Sequence, residues 1–118
     1  LIEIDPLTGA GTVIGDLGFN LGNCGLSYDC SANRLIGADA NTNQIFTVDP
    51  FSGAVSAMTS TSVPFSSVGL EFDQSRGIMY ASTGSALYAV EPTSGATTYI
   101  GDLSASVVDD LAFHPTCP

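Results

Sequence analysis

Short runs of the chain alternate strictly between apolar and polar positions. Leu26 and Tyr28 share one side of such a run, and Leu70 and Phe72 share the same side of another run 44 residues later. A period of two is typical of β-strands with one buried face, and no segment sustains the 3.6-residue period of a helix. The pattern therefore predicts an all-β fold of eleven strands. The predicted strands are residues 1–5, 11–15, 24–29, 34–39, 45–49, 54–58, 67–73, 77–82, 86–91, 96–101 and 107–113.

The turns between these strands carry a phrase that occurs three times, Asp/Glu-Pro-x-Thr/Ser-Gly-Ala. It begins at Asp5, Asp49 and Glu91, with spacings of 44 and 42 residues. Proline presets φ for the second turn position, and glycine accepts the left-handed position that closes the hairpin. A period in the forties, built of short strands, is typical of the blades of a β-propeller.

The number of repeats predicts an incomplete propeller. The repeats 1–44, 45–86 and 87–118 form a single segment of about 2.7 four-stranded antiparallel blades, whereas a closed propeller needs about four to eight blades. The two strands within 1–15 and the strand 107–113 would supply three quarters of one further blade, whose missing second strand would follow Pro118. We therefore expect a partial propeller that other copies, or a longer chain, complete by pairing with its open edges.

Three segments of the middle repeat resemble an NHL-type blade: 25–29 (Gly-Leu-Ser-Tyr-Asp), 33–39 (Asn-Arg-Leu-Ile-Gly-Ala-Asp) and 43–49 (Asn-Gln-Ile-Phe-Thr-Val-Asp). The chain is also similar to quinoprotein-like and bacterial surface-protein propeller repeats that carry Leu-Tyr-x-Ile-Asp-Pro-x-Thr-Gly. The resemblance implies that the Gly-Leu-x-Phe-Asp strand is innermost and the Thr-rich strand outermost. Gln44 stands where the NHL pattern usually has arginine, and this departure weakens any carry-over of ligand binding.

The charge of the chain excludes two classes of function. Twelve acidic residues stand against Arg34 and Arg76, without any lysine, and the formal net charge is −10. Binding to nucleic acid or to an anionic membrane requires clustered basic residues. Nor does any apolar run reach transmembrane length, so direct membrane insertion is not expected.

The composition also predicts a compartment. The chain is free of lysine, rich in Gly, Ser and Thr, and carries three cysteines. It begins at Leu1 rather than methionine and has no signal peptide, as expected of a processed or excised segment. These features predict an extracellular, cell-surface or periplasmic protein.

Cys24, Cys30 and Cys117 are the disulfide candidates. Cys24 and Cys30 flank one predicted strand of roughly 20 Å, whereas a disulfide requires Cα atoms within about 7 Å. That pair can bond only if the chain folds back at Cys24. A long-range bond from Cys30 or Cys24 to Cys117, within or between chains, is the favoured interpretation, and buried or incidental free thiols are the alternative.

Asp39, Asn41 and Asn43 are the candidate metal ligands. Oxygen side chains at alternate positions suit a hard cation such as Ca²⁺. The segment lacks the glycine and the distal glutamate of an EF-hand loop, and Asp and Asn also simply favour turns. The next repeat has no carboxylate at this turn, so a calcium site in every blade is excluded.

No residues form a convincing catalytic constellation. Asp109 and Asp110 are consecutive and would face opposite sides of a strand. His114 is the only histidine and precedes a proline, as a turn residue does. The Ser/Thr-rich segment 59–67 is expected to be an exposed loop, with O-linked glycan as the alternative. We expect little or no intrinsic catalysis and no cofactor besides Ca²⁺.

These observations predict an extracellular or cell-surface β-propeller module with a structural, assembly or protein-binding role, self-associating through blade edges. The alternative is a fragment of a propeller enzyme, lyase- or quinoprotein-like, or of a carbohydrate-binding protein. An enzyme would require polar groups from several blades to converge at the channel mouth.

Overall fold

The computed structural model describes residues 1–112 and 117. This part of the chain is all-β, without a helix, and its strands form three antiparallel sheets of two, four and four strands. The strands are β1 (Ile2–Ile4), β2 (Gly11–Val13), β3 (Cys24–Asp29), β4 (Arg34–Asp39), β5 (Gln44–Val48), β6 (Val55–Ser60), β7 (Gly69–Asp73), β8 (Ile78–Thr83), β9 (Ala86–Val90) and β10 (Thr97–Asp102). Among these residues there is accordingly no helix that could cross a membrane.

Each sheet is a meander in which neighbours in sequence are neighbours in the sheet. Strands β1 and β2 form the N-terminal hairpin, the first sheet has the order β3-β4-β5-β6, and the second sheet has the order β7-β8-β9-β10. None of these three sheets closes on itself. The predicted all-β class is confirmed, and ten of the eleven predicted strands occur with ends moved by at most two residues.

The repeated turn phrase folds in the same way each time, because its acidic residue accepts hydrogen bonds from its own turn. Asp49 Oδ1 accepts from the backbone N–H groups of Phe51 at 2.8 Å and Ser52 at 3.0 Å. Gly53 has a φ of 73°, in the left-handed region that favours glycine. The turns that begin at Asp5 and Glu91 have equivalent bonds and glycines. The turn chemistry predicted from the sequence is confirmed.

The pairing register shows that the N-terminal hairpin corresponds to the third and fourth strands of a complete sheet. In β1 and β2, Glu3 pairs with Thr12. The residues 44 positions later, Thr47 and Ser56, pair in β5 and β6. Those a further 42 positions on, Ala89 and Thr98, pair in β9 and β10. The hairpin is therefore half of a repeating unit that occurs complete in the first and second sheets.

The hydrophobic core lies between the first and second sheets. Its buried residues are Ile36, Ala38 and Ile45 from the first sheet, Leu70, Phe72, Met79, Ala81 and Val90 from the second, and Phe65 and Val68 from the connection between them. Burial of apolar surface is the main favourable term in folding. This interface is therefore the principal source of stability in the described residues.

The eleventh predicted strand, 107–113, is wrong for residues 107–112, which form no strand, and residue 113 lies outside the described residues. The segment makes isolated bonds instead of a ladder: Val108 N–H donates to Gly84 O at 2.9 Å. Asp110 Oδ1 accepts from the next backbone N–H, at Leu111. Such local side-chain bonds compete with a sheet ladder, which explains the difference.

Candidate functional site

The candidate site is the outward face of the first sheet, on the side of the N-terminal hairpin. Leu26 and Tyr28 are 51% and 37% exposed, whereas Leu70 and Phe72, which follow the same pattern in β7, are 1% and 6% exposed. Leu70 and Phe72 pack into the core between the two sheets. Leu26 lies in an open groove beside the hairpin. Equivalent side chains are thus buried at one repeat and uncovered at the other.

The contact between β3 and β7 shows how one unit of the repeat sits on the next. Phe72 N–H donates to Ser27 Oγ at 2.8 Å, and Cys30 N–H donates to Gln74 Oε1 at 3.0 Å. Gly25 lies so close to β7 that a Cβ there would be 2.9 Å from Leu70 N. The close approach of the two strands therefore requires glycine at position 25.

A similar contact recurs at the opposite end, between β7 and the segment 107–112. A Cβ at Gly69 would lie 2.7 Å from Asp110 Cα. Ser82 Oγ donates to Val108 O at 3.1 Å. This segment thus lies against Gly69 of β7 as β7 lies against Gly25 of β3, although it forms no strand.

The hairpin contacts the first sheet through another repeated contact. A Cβ at Gly15 would lie 1.9 Å from Ser52 O, in the turn between β5 and β6. A Cβ at Gly95, in the turn between β9 and β10, would lie 2.1 Å from Ser60 O. At both junctions, the chain at the end of the last strand of one unit therefore lies against the turn between the third and fourth strands of the following unit.

The hairpin leaves an apolar groove between itself and the first sheet. The groove has a volume of about 490 Å³, and its lining includes Leu1, Ile2, Leu26 and Leu35. A smaller groove of about 240 Å³ lies at the other end, where Tyr80, Leu87 and Leu111 are among the lining residues. Exposed apolar surfaces of this kind mark interaction sites or ligand-binding grooves.

Of the candidate calcium ligands, Asp39 is fully buried, and its carboxylate accepts hydrogen bonds from backbone N–H groups. Its Oδ1 accepts from Gly22 N–H at 2.8 Å, and its Oδ2 accepts from Thr42 N–H at 3.1 Å and Thr42 Oγ1 at 2.8 Å. Burial alone raises the pKa of this carboxyl, but these hydrogen bonds lower it below its usual value.

Of the two asparagines, Asn43 accepts a hydrogen bond and Asn41 is exposed. Asn43 Oδ1 accepts from Phe65 N–H at 2.8 Å. The side chain of Asn41 lies so close to Gly22 that a Cβ there would be 2.2 Å from its Cγ. Residues 1–112 and 117 contain no group of three or more His, Cys, Asp or Glu side chains arranged to hold a metal. The three candidates act in a turn, and calcium binding stays a prediction.

Cys30 and Cys117 form a disulfide with a Cα–Cα distance of 5.7 Å, and Cys24 is a free, exposed thiol. The favoured long-range bond to Cys117 is thus confirmed, with Cys30 as its partner. The bond joins the end of β3 to residue 117. Residue 117 is thus held near β3 of the first sheet, and residue 110 lies against Gly69 of the second sheet.

The acidic pair near the C-terminus is divided between different partners. Ser67 Oγ donates to Asp109 Oδ1 at 2.5 Å, and Asp110 accepts from its own turn. His114 lies outside the described residues. This arrangement gives no acid–base pair between the two carboxylates.

The segment 59–67 is less open than expected for a plain loop. Its first two residues belong to β6, and Phe65 is buried in the core. Ser62 Oγ lies 2.7 Å from Thr97 Oγ1. The hydroxyls at both 62 and 67 therefore have partners within the chain, and glycan attachment stays a prediction.

The carboxylates of the repeated turns accept hydrogen bonds from their own turns, and these bonds lower their pKa values. Hydrogen bonds from the Ser94 side chain, followed by the backbone N–H groups of Thr93 and Ser94, lower the pKa of Glu91 to about 2. The same kind of bonding, led by the N–H groups of Leu7 and Phe51, lowers the pKa values of Asp5 and Asp49. These groups remain ionised at neutral pH and stabilise turns.

Sequence reasoning foresaw open edges but missed the apolar groove. An alignment of the repeats could have predicted the groove. The hairpin corresponds to the third and fourth strands of a unit, so no first and second strands of that unit cover Leu26.

The chain matches none of the protein-family models and none of the curated proteins with which it was compared. The resemblance to NHL-type and quinoprotein-like repeats therefore stays a prediction.

Proposed function

We propose that the chain is a module of an extracellular or cell-surface β-propeller whose role is structural: it joins further units of the same repeat, and itself, through the open ends of its sheets. The observation that carries the proposal is the exposure of Leu26 and Tyr28 on a face whose counterparts, Leu70 and Phe72, are buried. Apolar side chains arranged for burial against a neighbouring sheet favour association when that sheet is missing.

Two features support a propeller-like arrangement of the units. The contact of Gly25 with β7 recurs as that of Gly69 with residue 110, and the contact of Gly15 with Ser52 recurs, one unit later, as that of Ser60 with Gly95. Repeated contacts between successive units build a ring if the rotation closes and a filament if it does not. The module would thus present successive units around an axis, with the first strand of each unit innermost.

The long-range disulfide favours an oxidising compartment, in keeping with an extracellular or surface location. The charge of −10 opposes association of two copies at low ionic strength. We therefore expect association to strengthen with added salt, because screening weakens repulsion and leaves apolar contact unchanged.

Sedimentation velocity of the 118-residue chain tests the proposal. The sedimentation coefficient should rise with concentration across the micromolar range, and Leu26→Glu should abolish that rise. Leu7→Glu is the matched control, since Leu7 is 94% exposed on the hairpin turn and does not line the groove. A folded wild-type monomer at every concentration, in low and in high salt, would contradict the proposal.

A further inference from the structure

The free edge of β1 borders the apolar groove. Within the described residues, β1 pairs only with β2, whereas its counterparts β5 and β9 are each paired on both edges. In the complete sheets β5 and β9 pair with β4 and β8, the second strands of the units. No counterpart of β4 or β8 lies beside β1 in the described residues. The hairpin thus lacks one particular strand, and a strand edge with unpaired N–H and C=O groups is a template for another strand.

The groove has the lining that such a strand requires. In the core, the second strand β4 contributes Ile36 and Ala38 to the contact with the second sheet. At the N-terminal end the facing surface is Leu26 and Leu35, beside the exposed Ile2 of β1. Apolar side chains of an added strand would cover these residues. Its backbone would form hydrogen bonds with the unpaired N–H and C=O groups of β1.

We propose that this groove is an acceptor site for a donor strand of the same repeat: an extended segment with the apolar pattern of β4 and β8, paired antiparallel with β1. The inference deepens the proposed function and rests on it. In strand addition of this kind, backbone hydrogen bonds supply affinity and pockets for alternate side chains supply specificity.

The repeat also fixes the register of the donor. In the second sheet Met79 pairs with Val90, and Ala81 pairs with Tyr88. The β1 residues in the equivalent positions are Ile4 and Ile2. A donor with the β8 sequence therefore pairs its Met79 with Ile4 and its Ala81 with Ile2.

The test uses a fluorescent synthetic peptide with the sequence of residues 76–84, titrated with the 118-residue chain while its anisotropy is followed. We expect saturable binding. A peptide with proline at both Tyr80 and Ala81 cannot complete the ladder, and we expect it to bind at least about tenfold more weakly, a change of about 1.4 kcal/mol. Equal binding of the two peptides would overturn the proposal.

Variants of the chain locate the site. Leu26→Ser should weaken binding of the 76–84 peptide by about tenfold or more, a change of about 1.4 kcal/mol, whereas Leu7→Ser should leave it unchanged. Circular dichroism of each variant checks that it is folded, and the peptide comparison itself requires no change to the chain. A Leu26→Ser chain that binds like the wild type would place the peptide elsewhere and overturn the proposal.

This outcome is separable from that of the proposed function. If the chain associates with itself but binds the two peptides equally, the proposed self-association stands and the proposed acceptor groove is refuted. A chain that stays monomeric but discriminates between the peptides would retain the groove and refute self-association.

Discussion

The first strands of the two four-stranded sheets, β3 and β7, differ in exposure although they follow the same sequence pattern. Leu26 and Tyr28 are uncovered in β3, while Leu70 and Phe72 are buried in β7. Leu70 and Phe72 face the first sheet, whereas the side of the first sheet that carries Leu26 and Tyr28 faces the N-terminal hairpin. The strand pattern thus determines which side of a strand is apolar, but the neighbouring unit determines whether that side is buried.

The largest predicted difference is between truncations of the equivalent leucines Leu70 and Leu26. Leu70→Ala should reduce the free energy of unfolding by about 2–5 kcal/mol, because it leaves a cavity in a packed core. Leu26→Ala should cost about 1 kcal/mol or less, because half of that side chain is already in water. Urea unfolding at low protein concentration measures both. Equal costs would mean that the two faces are not different in burial.

A smaller effect is expected from the two glycines where strands approach closely. Gly25→Ala should cost about 1–3 kcal/mol, because the added Cβ meets the backbone of β7, which is fixed in a ladder. Gly69→Ala should cost less, because the added Cβ meets residue 110, in a segment that is held by isolated bonds, and the Ser82 hydroxyl, which can rotate. Urea unfolding again measures both, and a larger cost at Gly69 would mean that the C-terminal segment is as firmly fixed as a strand.

The smallest predicted effect concerns pH and two turn aspartates, one buried and one exposed. Burial alone raises the pKa of Asp29, but hydrogen bonds from Ser31, Ala32 and Arg34 lower it below its usual value. A carboxyl with a lowered folded-state pKa contributes stability that is present above its unfolded pKa, about 3.9, and is lost as pH falls through the folded value.

Asp29→Asn should therefore reduce the urea midpoint at pH 7, and the difference from the wild type should shrink as pH falls from about 5 towards 3, through the unfolded pKa of an aspartate. Asp5→Asn should shift the midpoint less, since the turn at Asp5 is exposed. A difference for Asp29→Asn that stays constant over this range would show that its charge does not contribute to stability.

The sequence predicted those parts of the fold that depend on local information. The turn at Asp49 needs only residues within the phrase, and the strand β7 needs only its own alternation. The segment 107–112 was predicted wrongly because a strand requires a partner ladder, and alternation alone does not provide one. The apolar phrase Leu111-Ala112 carries the pattern without the pairing.

The role of Asp39 was also beyond the sequence. Its spacing with two asparagines resembles a set of cation ligands, but one of its hydrogen-bond donors is the N–H of Gly22, seventeen residues away. Contacts over that distance depend on how the units stack. The pairing of Cys30 with Cys117, 87 residues apart, was anticipated only as one of two long-range alternatives.

The central claim is that β1 belongs to an incomplete unit which a strand of the same repeat completes, and amide hydrogen exchange of β1 tests it most directly. In the dilute chain the amides of Ile2–Ile4 should exchange much faster than those of the counterpart strand β5, which is paired on both sides. As the concentration of the 76–84 peptide rises, exchange in β1 should slow towards that of β5. Exchange in β1 that stays fast at saturating peptide, or that already equals that of β5 without peptide, would contradict this claim.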